Sequence, residues 1–241
     1  MIHTSKTKRD STFFFNIKAL TTTNFIFLIS TLLPLAMLYS FNYGIFETGP
    51  RLKVDGNDVS TGIAKIITGD GTGTAFLISK NQLITCKHVV DGQQGQTVEL
   101  RFVKQGNSSK FGKVSFLSKN YDYAVIDLTE PVDDSYFVMK TESAEGLQLN
   151  QEVAAIGYPD GIFASSIGHV SNTEYEGDVN LIQMWLGAWF GSSGSPVFNP
   201  QTKNVYGIIT SGKEVPNMVF ALKIDAIIED LAQNKIVNDL Q

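Results

Sequence analysis

His88, Asp122 and Ser193 are the residues of this sequence whose types and surroundings best suit covalent chemistry. His88 closes GTGTAFLISKNQLITCKHVV, residues 71–90, just after an apolar run, where a strand can fix an imidazole that projects from the mouth of a turn. Asp122 lies in NYDYAVIDL, residues 120–128, directly before another apolar run. A carboxylate there can accept an imidazole N–H, hold one tautomer and stabilise the imidazolium. Ser193 lies in FGSSGSPVFN, residues 190–199, between Gly191 and Gly194. A glycine turn of this kind lets the N–H groups of Gly191 and Ser193 converge on one point, as an oxyanion hole requires. A hydroxyl, a base and an orienting carboxylate are the parts needed for acyl transfer through a covalent intermediate.

Each motif alone has a plainer reading: a structural histidine, a surface aspartate, a Gly/Ser turn without chemistry. Few substitutes for the three exist. The chain has 3 histidines; His3 falls in the first residues and His169 reads as a strand histidine. Asp91 and Asp127 are weaker carboxylate candidates. Cys86, two residues before His88, has no glycine turn to build an oxyanion hole and reads as a small core residue.

The segments around these motifs are short apolar runs: GIAKIITG, GTAFLIS, QLITC, TVELRFV, GKVSFLS, YAVIDL, EVAAIGY, VYGIIT and MVFALKI. Clusters of Gly, Asn, Asp and Ser separate them, which predicts an all-β sandwich or barrel. With 21 glycines against 7 prolines the chain suits many tight turns. A single cysteine excludes an intramolecular disulfide, so packing must hold the fold. Ile224, Ile227, Ile228 and Leu231 recur at helical spacing and predict a terminal amphipathic helix.

Charge is unevenly placed. The formal net charge is −5, yet Lys6, Lys8, Arg9 and Lys18 against Asp10 give the first 18 residues +3, which leaves −8 for the rest. An acidic body is a poor nucleic-acid binder. Ala19 to Phe46 carries no charge, and Phe25–Phe46 would span about 33 Å as a helix, enough for a hydrocarbon core of ~30 Å. The expected organisation is a basic cytoplasmic tail (1–23), a transmembrane anchor (24–46), a linker (47–58) and a β domain (59–241). The positive flank predicts a cytoplasmic N-terminus and an extracytoplasmic body, periplasmic or extracellular. A cleaved signal peptide, which would yield a secreted protein, is the rival reading; the length of the run and the lack of a small-x-small site favour the anchor.

Taken together, the three motifs and their order resemble the chymotrypsin-like serine proteases over nearly all of residues 60–230. GTGTAFLI before the histidine, AAIGYPDG before the serine, and GIITSG and MVFALKI after it agree with that family, in its bacterial branch near the periplasmic stress proteases and the glutamyl endopeptidases. The resemblance implies two packed six-stranded antiparallel β-barrels with a C-terminal helix, and an endopeptidase acting on protein or peptide substrates with a His88–Asp122–Ser193 triad. It implies an oxyanion hole from Gly191 and Ser193, substrate-binding residues Gly187, Ala188, Thr210, Ser211 and Gly212, and no metal or cofactor. Ser192 stands where digestive members carry an aspartate that pairs with a new N-terminus, so activation by N-terminal insertion is not expected. Gly187 and Ile209 replace the residues that select basic and glutamyl side chains, which points to a small or medium apolar side chain before the cut bond. A non-catalytic peptide-binding module on the same fold is the alternative.

Overall fold

The computed structural model describes residues 53–54, 57–69, 71–103, 109–175, 177–212 and 217–236. They fall within one compact unit, Thr48–Gln241. The expected tail 1–23 and anchor 24–46 lie outside the described residues, as does most of the expected linker 47–58. No described helix is long and apolar enough to cross a membrane.

The apolar runs of the first half become β1 (Ile63–Thr68), β2 (Gly71–Leu77), β3 (Gln82–Thr85), β4 (Thr97–Phe102), β5 (Lys110–Leu117) and β6 (Ala124–Leu128). Burial alternates along β4, as a strand with one wet face requires. In β6 every residue except Asp127 is buried, because this strand is covered on both faces. Antiparallel pairing closes the six into a barrel in the order β1-β2-β3-β6-β5-β4, with β4 returning to β1.

The second half repeats the design with β7 (Glu152–Gly157), β8 (Ala164–Asn172), β9 (Leu181–Trp185), β10 (Pro196–Phe198), β11 (Val205–Gly212) and β12 (Met218–Lys223). These close in the order β8-β9-β12-β11-β10-β7. Counted from its own first strand, each ring runs first, second, third, sixth, fifth, fourth. Register shifts in β5, β8 and β11 bend strands that must turn through so small a barrel. The expected helix is present as α1 (Ile224–Gln233), following directly on β12.

Burial divides into three apolar groups. Ile66, Leu77, Leu83, Leu100 and Ile126 fill the first barrel, and Val153, Ile182, Met184, Val197 and Val219 fill the second. The third group, which includes Phe76, Ile84, Tyr123, Phe198, Ile208 and Ile227, draws on both barrels and on α1. Each such side chain contributes about 1.5–3 kcal/mol by leaving water. This shared core locks the barrels together, and the ends of β3, β6 and β11 emerge along it.

Candidate active site

The pairing of β3 with β6 decides where His88 and Asp122 meet. The register runs from Gln82↔Asp127 to Thr85↔Ala124, so the chain leaves β3 toward His88 at the same end at which it enters β6 from Asp122. A short 3-10 turn, Lys87–Val89, then turns His88 toward the carboxylate. His88 Nδ1 lies 2.7 Å from Asp122 Oδ2, and the His88 backbone N–H donates to Asp122 Oδ1 at 3.0 Å. Asp122 thus holds both main chain and ring. Because an ionised carboxylate only accepts, Nδ1 carries the proton and Nε2 is left as the basic nitrogen. Lys87 Nζ donates to the Ser118 carbonyl at 2.9 Å and ties the histidine turn to the segment before Asp122.

The electrostatics follow this geometry. The hydrogen bond to Asp122 raises the His88 pKa above its ordinary value; burial opposes the rise and the Asp122 charge adds to it. Burial pushes the Asp122 carboxyl upward, but the bonds from the His88 ring and N–H outweigh it, and the group ends below the usual carboxylate value.

The serine turn is pinned from the first barrel. The Ser193 carbonyl accepts from Thr74 N–H at 2.9 Å, and the Gly191 carbonyl accepts from Thr74 Oγ1 at 2.9 Å. Gly194 N–H donates to the Ile209 carbonyl at 2.8 Å, and Ile209 N–H to the Ser195 carbonyl at 2.9 Å. Thr74, buried in β2, therefore grips both sides of Ser193, a role that the sequence reading did not assign to it. A Cβ on Gly194 would lie 2.1 Å from the Thr74 carbonyl oxygen and 3.1 Å from the nitrogen of Cys86, two residues before His88. The serine turn thus passes so close to the start of the histidine turn that no side chain fits at that glycine. Ser193 Oγ and His88 Nε2 make no hydrogen bond among the described residues; such contacts commonly tighten only when substrate is bound.

Peptide-plane geometry shows where the turn's donors point. The Phe190 carbonyl accepts from Asp160 N–H at 2.5 Å, and the Ser192 carbonyl from Ser195 N–H at 2.9 Å. In a trans peptide the N–H points opposite to the C=O, so the Gly191 and Ser193 N–H groups face away from those partners. Neither finds an acceptor among the described residues. Gly191 adopts φ +90°. A Cβ there would meet the Tyr158 carbonyl oxygen at 2.4 Å, so the neighbouring backbone requires glycine. Gly194, at φ +84°, is equally constrained. Gly194→Ala is expected to lower the stability of the fold by more than about 2 kcal/mol, from left-handed backbone strain and the clash with Thr74. A urea unfolding curve that matches the wild type would contradict this.

Cys86 is fully buried, and its Sγ lies 3.1 Å from the Ile209 carbonyl. Its ligand atom and those of His88 and Asp122 lie within 4.8 Å of one another, a grouping with metal-binding residue types. Burial, and then the Asp122 charge, raise the thiol pKa well above its ordinary value. The metal-binding thiolate is thereby disfavoured, and both Asp122 oxygens already accept from His88.

The five substrate-binding residues expected from the sequence divide between two places. Gly187 lines a small recess with Gly157, Pro159, Ser166, Ser192 and Ile209; its carbonyl accepts from Ser166 Oγ at 2.8 Å. Ala188 packs against the core of the second barrel. Thr210, Ser211 and Gly212 form the far end of β11, where Ser211 and Gly212 pair with Phe220 and Val219 of β12. On the other side β10 reaches only Ile208, so this end of β11 has a free edge among the described residues. His169 sits in β8, opposite Trp185 of β9 and Glu152 of β7.

Comparison with known proteins agrees with this architecture. Residues 73–208, more than half of the chain, match the family described as the trypsin-like peptidase domain. The human peroxisomal leader peptide-processing protease is 26% identical over 196 residues, covering 73% of this chain and 34% of its own length. The mouse protein of the same name is 23% identical over 196 residues with the same coverage. The chain thus spans about a third of the length of these curated relatives. Among solved structures, the inactive form of the Rv3671c protease from M. tuberculosis superposes with a TM-score of 0.59 at 20% identity, covering 73% of this chain and 89% of that one. The HtrA-type protease AlgW, crystallised with a tripeptide, gives a TM-score of 0.63 at 19% identity, over 74% of this chain and 61% of that one. With the double barrel and the matched residues together, the chain belongs to the trypsin-like peptidase domain family.

Proposed function

We propose that the chain is an endopeptidase that cleaves peptide bonds through an acyl-enzyme, with Ser193 as nucleophile, His88 as base and then acid, and Asp122 as the group that orients His88. The carrying observation is the paired hydrogen bond of Asp122 to the ring and main chain of His88, at the strand end against which the Gly191–Ser195 turn packs. Ser193 Oγ attacks the substrate carbonyl carbon as its proton passes to His88 Nε2. The oxyanion that forms accepts from the Gly191 and Ser193 N–H groups. Collapse breaks the C–N bond, and the amine leaves with the proton from His88. Water, deprotonated by the same imidazole, then releases the acid and restores Ser193.

The free edge of Thr210, Ser211 and Gly212 suits an extended substrate added as a strand, whose backbone supplies affinity while side chains enter pockets. Gly187 and the other residues lining the recess bring no charge, and their polar side chains are the hydroxyls of Ser165, Ser166, Ser192 and Ser195; this supports a small or medium side chain, apolar by the proposed reading, before the cut bond. The uncharged run 19–46 behind a basic flank supports a membrane tether with the β domain on the extracytoplasmic side. Release of the full-length chain by alkaline carbonate would remove the tether from this reading. The same free edge would also serve a non-catalytic peptide-binding module. A fluorophosphonate probe separates the two: the wild-type chain in mild detergent is expected to be labelled and to cut an apolar-biased peptide library. Peptide binding without labelling or cleavage would favour the binding module, and a profile dominated by Arg, Lys or Glu would overturn the specificity.

A further inference from the structure

Asp230 of α1 is 2% exposed, and no lysine, arginine or histidine lies within salt-bridge distance of it among the described residues. A buried carboxylate without a cation is costly unless its oxygens are met by donors. Here three neutral donors meet them. Ser118 Oγ and Tyr123 Oη donate to Oδ2 at 2.7 Å each, and Asn120 Nδ2 donates to Oδ1 at 2.8 Å. Burial pushes the Asp230 carboxyl upward, but these bonds outweigh it and keep the ionised form favoured.

All three donors come from one segment, residues 118–123, and that segment carries Asp122. Tyr123 follows Asp122 immediately and is fully buried. With its hydrogen committed to Asp230, the Ser118 hydroxyl accepts from the N–H groups of Asn120 at 3.2 Å and Tyr121 at 3.1 Å, the two residues just before Asp122. Asp122 is therefore bracketed on both sides by contacts that converge on one carboxylate about 110 residues away, in a different element. An apolar residue at position 230 would leave three inward-facing donors without a partner.

We propose that Asp230 is a positioning residue for the peptidase reaction: from the C-terminal helix it fixes the turn 118–123 and so sets the Asp122 carboxylate against His88. The inference rests on the roles proposed above for Asp122 and His88. His88 is faced by Asp122 from this turn, by the neighbouring Lys87, whose ammonium is held on the Ser118 carbonyl, and by the buried Cys86 thiol. Of these, Asp122 is the group whose place depends on Asp230.

The test uses the full chain carrying Ser193→Ala, to prevent self-cleavage, with the His88 ring followed by NMR across pH. In that background His88 is expected to titrate above the ordinary value of 6.5. Adding Asp230→Ala or Tyr123→Phe is expected to move the midpoint down toward 6.5, because the Asp122 bond that raises it is loosened. In the chain with Ser193 intact, the same substitutions should lower kcat per titratable serine roughly 10- to 100-fold with KM little changed, the penalty of misplacing a reacting group by about 1 Å. The exchange Asp230→Asn with Asn120→Asp keeps one carboxylate and one amide in the cluster and should recover part of the loss. A purely structural role would lower the melting temperature and leave the His88 midpoint in place, and that result overturns the proposal. If Asp230→Ala does not fold, Tyr123→Phe decides the matter, since it removes one hydroxyl and keeps the ring. The titration needs no activity, so a wild-type chain that refuses the fluorophosphonate probe would count against the proposed function alone.

Discussion

Ser193→Ala is expected to abolish fluorophosphonate labelling and to lower kcat by roughly 10⁶-fold while the double barrel stays folded. The fold should be indifferent because the turn is held by main-chain groups: Thr74 to the Ser193 carbonyl, and Gly194 and Ser195 with Ile209. Among the described residues the Ser193 side chain makes no hydrogen bond that the substitution would remove. A residual rate above that of water is expected, since in the proposed mechanism the Gly191 and Ser193 amides would still be there to receive an oxyanion. Unchanged melting with all labelling lost is the expected pair of results. Labelling that persists would take the nucleophile's role away from Ser193, and would direct attention to the other hydroxyls of the turn.

Asp122→Asn should cost about 10⁴-fold in kcat, the loss seen when a triad of this type keeps its geometry but not its carboxylate. An asparagine can offer its amide N–H to Nδ1 and so select the tautomer in which Nε2 carries the proton and cannot act as base. The pH profile should change as well. In the wild type, His88 must be neutral to accept a proton and its pKa is raised, so the acid limb of kcat/KM has its midpoint above 6.5. Without Asp122 the limb moves down toward 6.5 even as the plateau falls. Stability runs the other way. The raised His88 pKa contributes stability that is complete below about 6.5 and lost as pH rises through the folded value. The lowered Asp122 pKa contributes stability present above 3.8 and lost as pH falls through its folded value. The pair thus supports the fold most strongly between roughly 4 and 6.5, below the range in which the proposed reaction is expected to run fastest. An acid limb that stays in place after Asp122→Asn would show that His88 is not held by this carboxylate in solution.

The strands that sequence reading located are those whose runs are uniformly or alternately apolar, such as QLITC, TVELRFV and YAVIDL. No long apolar run marks β8, where the sequence offers only His169 as a strand histidine, or β9 and β10. β8 reads ASSIGHVSN, and most of its residues face water, so it carries little hydrophobic period. β9 reads LIQMW and places only Ile182 and Met184 inward, while β10 is three residues long. These are strands because their neighbours in the barrel offer unpaired N–H and C=O groups, which is tertiary context overriding local pattern. The candidate site shows the same division. His88, Asp122 and the glycines around Ser193 stood out because their chemistry and turn requirements are local. Thr74 and Asp230 did not, because a buried threonine in a strand and an aspartate in a helix have no local feature that marks their partners.

The linear order of residues carries the parts: short strands with glycine-rich turns, a terminal helix, an imidazole and a carboxylate at strand ends, and a hydroxyl between two glycines. Local backbone preference and hydrophobic period decide such things within a few residues. Folding in three dimensions adds that β3 and β6 share a register that sets Asp122 beneath His88, that Thr74 reaches 117 residues along the chain to hold Gly191, and that Asp230 reaches back to the turn carrying Asp122. Those contacts depend on which surfaces bury each other when two barrels close and pack, and a linear string does not carry that geometry.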